Sequence, residues 1–283
     1  MNRFVLTLFI YIVASLPLTA QSFREYNESR RPKVALVLGG GGAKGAATVG
    51  VLKAVEKSGV PIDMVVGTSI GSIVGGLYSI GYDSKQLDSL FRTQSWLDIF
   101  SGSLMGDSII WTLREMTGGI VTDFDSLPIP FRCVAVDVKK IREVVLSEGD
   151  LAQAMRASMA IPLVFKPVKI GNMQLVDGGV LNNLPVDVAR DMGADYVIAV
   201  DLTVNKHEND LSGLMSMLRV DLKKYHQNSE DADVYINPKL KGYGAHDFAS
   251  DKIAKMIDLG EVAGKASLKE LKWLKKKVKH SSQ

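Results

Sequence analysis

A chain of 283 residues with a 46% hydrophobic share suits one folded domain of the larger kind, or two small ones. Its formal net charge of +3 is mild and argues against a dedicated nucleic-acid binder. A single cysteine, Cys133, excludes an intramolecular disulfide, and its place in the strand-like Phe131-Arg132-Cys133-Val134 reads as a small buried apolar residue rather than a reactive thiol.

Residues 1–20 read as a signal peptide: Arg3 gives the positive start, Phe4 to Leu16 is a short apolar run, and Leu18-Thr19-Ala20 precedes a cleavage point before Gln21. An uncleaved anchor is the alternative, although the run is short for a membrane-spanning helix. Residues 21–31 are a polar linker, and 32–265 form the domain.

Lys33 to Leu38 is a near-continuous apolar run, as expected of a strand buried on both faces of a parallel sheet. It runs into Gly39-Gly40-Gly41-Gly42-Ala43-Lys44-Gly45, followed by a predicted helix from Ala46 to Ser58 that Gly59-Val60-Pro61 stops. The β-prone Asp63-Met64-Val65-Val66 then leads into Gly67-Thr68-Ser69-Ile70-Gly71, and Ile73, Val74, Leu77 and Ile80 recur at helical spacing after it. Strand, glycine loop, helix and strand in that order predict a doubly wound α/β sheet. Further on, the pattern predicts helices over 84–94, 150–159, 185–192 and 210–227. It predicts strands over 131–138, 142–146, 196–200 and 234–236, and a hairpin of 165–170 with 173–176 around Gly171-Asn172. Residues 95–128 are apolar without clean periodicity, and read equally as a lid or acyl-chain wall or as ordinary core and loop. The tail over 266–283 holds an amphipathic, lysine-rich helix. It reads as a solvated terminal helix with snorkelling lysines, or as a contact with an anionic membrane surface.

The chemistry is concentrated in three places. Ser69 centres a Gly-x-Ser-x-Gly pattern between strand and helix, the geometry of a nucleophile elbow, with Gly67 and Gly71 where side chains would collide. The glycine loop also matches a dinucleotide fingerprint, but that reading asks for an acid at the end of the next strand, where Gly67-Thr68-Ser69 stands instead. In acyl transfer the same loop supplies backbone N–H groups to an oxyanion, with Gly40, Gly41 and Gly42 as candidate donors. Lys44 supports that loop, favours anionic head groups, or is simply solvated. None of His207, His226, His246 and His280 ends a predicted core strand, so a Ser–His–Asp triad is poorly supported. Asp177, after Gln174-Leu175-Val176 and before Gly178-Gly179, is the better base, although Asp-Gly-Gly alone is most often a turn.

Gly40 to Gly45, Gly67 to Gly71 and Asp177-Gly178-Gly179, in that order, resemble the patatin-like phospholipase family. Ala157-Ser158-Met159-Ala160-Ile161-Pro162 and Asn182-Asn183-Leu184-Pro185 resemble stretches of its bacterial members. The resemblance covers about Pro32 to Pro238. It implies a three-layer α/β/α fold with a mainly parallel sheet, a Ser69–Asp177 dyad without histidine, an oxyanion hole at Gly40–Gly42, and hydrolysis of acyl esters of lipids. Thr48 and Lys44 stand where many relatives carry histidine and arginine. The expected protein is an exported lipid acyl hydrolase of phospholipase A or lysophospholipase type, without metal or other cofactor, acting on phospholipid or another acyl lipid, with a membrane surface as partner. Its rivals are an acyltransferase on the same dyad and a non-catalytic nucleotide- or lipid-binding module.

Overall fold

The computed structural model describes residues 31–101, 107–119, 122–203 and 222–280. The expected signal peptide and nearly all of the linker lie outside these residues. In chain order the elements are β1 (Val34–Leu38), α1 (Ala46–Ser58), β2 (Met64–Thr68), α2 (Ile70–Ser79), α3 (Ser84–Thr93), α4 (Trp96–Ser101), α5 (Asp107–Met116), β3 (Phe131–Asp137) and β4 (Arg142–Leu146). There follow α6 (Leu151–Ser158), β5 (Val168–Ile170), β6 (Met173–Asp177), α7 (Val186–Asp191), β7 (Tyr196–Val200), α8 (Leu222–Glu230), β8 (Val234–Ile236), α9 (Ser250–Ala266) and α10 (Leu268–His280).

All eight strands join one sheet. β1 lies at its middle, parallel to β2 and to β7. β3 continues the parallel set beyond β2, and β8 beyond β7. β4, β5 and β6 add antiparallel pairings, so the sheet is mixed. The apolar run of β1 explains its place. Side chains of a strand alternate between faces. Val34, Leu36 and Leu38 enter a large core with α1 and α2, whereas Ala35 and Val37 enter a smaller core with Leu184, Val186 and Ala189 at α7. Helices thus cover both faces, giving the expected three layers.

One pairing detail positions the site. β4 pairs with Cys133–Asp137 along one edge of β3. The pairings of β2 with Val65↔Phe131 through Thr68↔Val134, and of β6 with Asp177↔Ala135 through Leu175↔Asp137, therefore share the opposite edge. β2 runs up that edge and β6 runs down it, so their ends meet between Val134 and Ala135.

The structure differs from expectation in several places. Residues 95–128 contain two short helices, α4 and α5, with Trp96, Ile109, Leu113 and Phe124 buried and Trp111 exposed. Most of this stretch's described apolar residues are therefore core. β5 begins at Val168 rather than Phe165, because residues 161–165 form turns instead of strand. Most of the helix expected over 210–227 lies outside the described residues, and the described part is α8. α9 has no counterpart in the sequence reading. It crosses α1 closely: a Cβ on Gly50 would fall into the backbone of Ile257, and one on Gly260 into that of Ala47. In α10, Leu271, Leu274 and Val278 are buried in the main core while the lysines face outward. The apolar face offered to a membrane in the second reading of this helix is therefore already covered.

Candidate active site

Ser69 occupies the turn between β2 and α2 with φ 56° and ψ −126°, a strained conformation for a residue with a side chain. A helix-preceding serine commonly turns its oxygen onto the first turn of N–H groups. Ser69 makes no such cap, and its Oγ–H donates to Asp177 Oδ2 at 2.6 Å. The elbow is held on every side. The Ser69 N–H donates to Ser158 Oγ at 2.9 Å, and the Ser158 hydroxyl donates to Val134 O at 2.6 Å. Ser72 Oγ–H donates to Ser69 O at 2.6 Å, and Thr68 Oγ1–H to Asn182 O at 2.9 Å. A side chain at Gly71 would collide with Leu38 O, and one at Gly67 with the backbone of Gly71. These contacts set the turn tightly against β1.

Asp177 ends β6, where its N–H donates to Ala160 O at 3.0 Å. Its Oδ1 accepts from Gly179 N–H at 2.8 Å, and a Cβ on Gly178 would overlap Val134 O. The carboxyl is 6% exposed. Burial pushes its pKa up to about 6, and the hydrogen bonds from Ser69 and Gly179 pull the other way. At neutral pH the group is a carboxylate touching the serine proton, which is the state a general base requires.

The glycine loop lies beside Ser69: a Cβ on Gly40 would be 3.1 Å from Ser69 Cβ. Of the three candidate donors, Gly40 is corrected. Its N–H donates to Asn183 O at 3.1 Å, so its contribution is closeness to Ser69 rather than a free donor. Among the described residues the N–H groups of Gly41 and Gly42 have no acceptor. Gly42 has φ 57°, and Gly45 lets the loop close against Ile70. Lys44 is buried, which removes the solvated reading. Gly179 packs at the Asn183 amide, where a Cβ would be 2.7 Å from Oδ1.

Two supporting residues carried no assigned role in the sequence. Ser158 and Asn183 each lie in a quoted stretch, but only the fold brings one to the Ser69 N–H and the other to Gly40. Neither His226 nor His246 is hydrogen-bonded to Ser69 or Asp177, and His207 lies outside the described residues. Cys133 is fully buried, and burial pushes its thiol pKa up, in keeping with a packing role.

Comparison with known proteins agrees with this fold. Human patatin-like phospholipase domain-containing protein 6 is 38% identical over 200 residues, covering 63% of this chain and 14% of that protein. Lysophospholipase nte1 of Aspergillus niger is 31% identical over 287 residues, covering 84% of this chain and 18% of that protein. The chain thus spans less than a fifth of the length of these relatives. In fold it is similar to VipD from Legionella pneumophila (TM-score 0.51, 15% identity, 85% of this chain and 67% of that one). It is equally similar to the type III effector protein ExoU (TM-score 0.51, 14% identity, 86% and 54%). The sequence profile described as "Patatin-like phospholipase" matches residues 36–190, a stretch that contains the glycine loop, the elbow and Asp177. The chain belongs to the patatin-like phospholipase family.

Proposed function

We propose that the chain hydrolyses acyl esters of lipids, as a phospholipase A or lysophospholipase-type esterase, through a Ser69–Asp177 dyad. The observation that carries this reading is the 2.6 Å hydrogen bond from Ser69 Oγ to a buried carboxylate, on a strained elbow walled by glycines. Asp177 takes the hydroxyl proton as Oγ attacks the ester carbonyl. Charge develops on the carbonyl oxygen, and the N–H groups of Gly41 and Gly42, without an acceptor among the described residues, are the donors proposed to receive it. The alkoxide of the leaving group takes the proton from Asp177 as the carbon–oxygen bond breaks, leaving an acyl group on Ser69. Water, deprotonated by Asp177, then attacks the acyl carbon; the bond to Ser69 Oγ breaks, Oγ takes the proton back from Asp177, and the fatty acid leaves. No histidine enters. We also read the protein as exported, on the strength of residues 1–20.

The test is labelling and kinetics together. A fluorophosphonate probe is expected to label the parent protein and not Ser69→Ala. Ser69→Ala and Asp177→Asn are each expected to lower p-nitrophenyl ester hydrolysis by roughly a thousandfold or more, with no further loss on combining them. His226→Ala and His246→Ala keep most activity. A folded histidine variant as inactive as Ser69→Ala would overturn the dyad.

A further inference from the structure

Among the described residues three non-glycines have positive φ: Ser69, Ile141 at 49° and Leu163 at 68°. The first is the nucleophile. The other two are also the two most exposed large hydrophobic side chains, at 79% and 89%. A branched side chain enters the left-handed region only against steric resistance, and it exposes apolar surface only against the hydrophobic effect. Neither side chain is covered by a neighbour among the described residues, so these costs are not recovered there.

Both lie at the end of the sheet that carries Ser69. Thr68, the last residue of β2, is in register with Val134, and β3 continues three residues further to Asp137. The β3–β4 turn with Ile141 therefore projects about 10 Å beyond the elbow. Leu163 belongs to the turn that leaves Ala160, whose carbonyl accepts the Asp177 N–H. Lys139 Nζ donates to Asn172 O at 3.1 Å, tying the β3–β4 turn to the β5–β6 turn. Every charged residue in 138–142 and 161–172 is a cation: Lys139, Lys140, Arg142, Lys166 and Lys169, all exposed. Two exposed aliphatic side chains on cationic turns, at the sheet end that carries Ser69, complement a surface that is anionic outside and apolar beneath.

We infer that Ile141 and Leu163, with the cations around them, form the surface by which this protein docks on an anionic lipid bilayer, presenting Ser69 to its substrate. The inference rests on the lipid-hydrolase reading for its purpose, but its test does not require activity.

The experiment is co-sedimentation of the Ser69→Ala protein with vesicles of phosphatidylcholine, with and without phosphatidylglycerol. The parent is expected to sediment preferentially with the anionic vesicles. Ile141→Gly combined with Leu163→Gly is expected to weaken that binding about tenfold or more. The same pair leaves the melting temperature unchanged or higher, since glycine accepts positive φ. Lys139→Gln with Lys166→Gln weakens binding to the anionic vesicles and not to pure phosphatidylcholine. On the Ser69-containing protein the glycine pair lowers hydrolysis of vesicle phospholipid and spares p-nitrophenyl butyrate. Parent-like sedimentation of the glycine pair overturns the inference, as does a parent that ignores anionic vesicles or loses binding through Trp273→Ala in α10 instead. Failure of p-nitrophenyl butyrate hydrolysis in the Ser69-containing parent would overturn the esterase reading alone.

Discussion

At the scale of single residues, Asp177 links the proposed chemistry and the stability to pH. With its pKa raised to about 6 by burial, the carboxylate proposed as the base is lost as pH falls through that value. The kcat/KM for a soluble ester is expected to fall about tenfold per pH unit below 6 and to level off above it. A profile flat from pH 5 to 8 would contradict this. The stability effect has the opposite sense from an ordinary paired carboxylate. A folded pKa above the unfolded value means that folding disfavours the charged form. The penalty is absent below about pH 4, grows as pH rises toward 6, and persists above, at on the order of 3 kcal/mol. Asp177→Asn should therefore gain stability relative to the parent between pH 4 and pH 8, as read by thermal unfolding at each pH. The serine and this acid were both legible in sequence, because each sits where a strand-like run breaks into glycine. Ser158 and Asn183 were not, since a serine near a helix end has no local sign of the N–H it will accept.

At the scale of elements, what was legible was what is local. The run β1, glycine loop, α1, β2, elbow, α2 is continuous in sequence, and its apolar periodicity and glycines announce it. The pairing of β6 with β3 is not local, and nothing in Gln174-Leu175-Val176 says which strand it will join. The same holds for α9. Its Gly260 lies against Ala47, Gly50 of α1 lies against Ile257, and a Cβ on Gly264 would come within 2.8 Å of Ala54 Cβ. A close helix crossing needs small residues on both partners, and only the pair reveals their purpose. Gly260→Leu should accordingly cost about 3 kcal/mol or more, because the obstacle is backbone rather than a movable side chain. Chemical denaturation measures this. A loss below about 1 kcal/mol would show that the helices can part without harm.

At the scale of the whole molecule, the described chain is organised outward from β1. The terminal α10, readable as an appendage, sends Leu271, Leu274 and Val278 into the core and contributes to it like any other helix. No helix among the described residues is long and apolar enough to cross a membrane. The export proposal thus rests on Arg3 and the apolar run behind it. Protein from the native host is expected to begin near Gln21, and N-terminal sequencing that finds Met1 on cytosolic protein would refute it.

The meeting of β2 and β6 end to end on one edge of β3 has a consequence in time. Ser69 and Asp177 are 108 residues apart, and in the folded chain Asp177 reaches Ser69 through the docking of β6 on β3. A chain emerging from the ribosome completes its elbow long before it owns a base, since domains are synthesised at about 5–20 residues per second from the N-terminus. On the proposed dyad, the chain stays without its base at least until Asp177 has been made. Nascent chains halted before Asp177 should accordingly resist a fluorophosphonate that labels the finished protein.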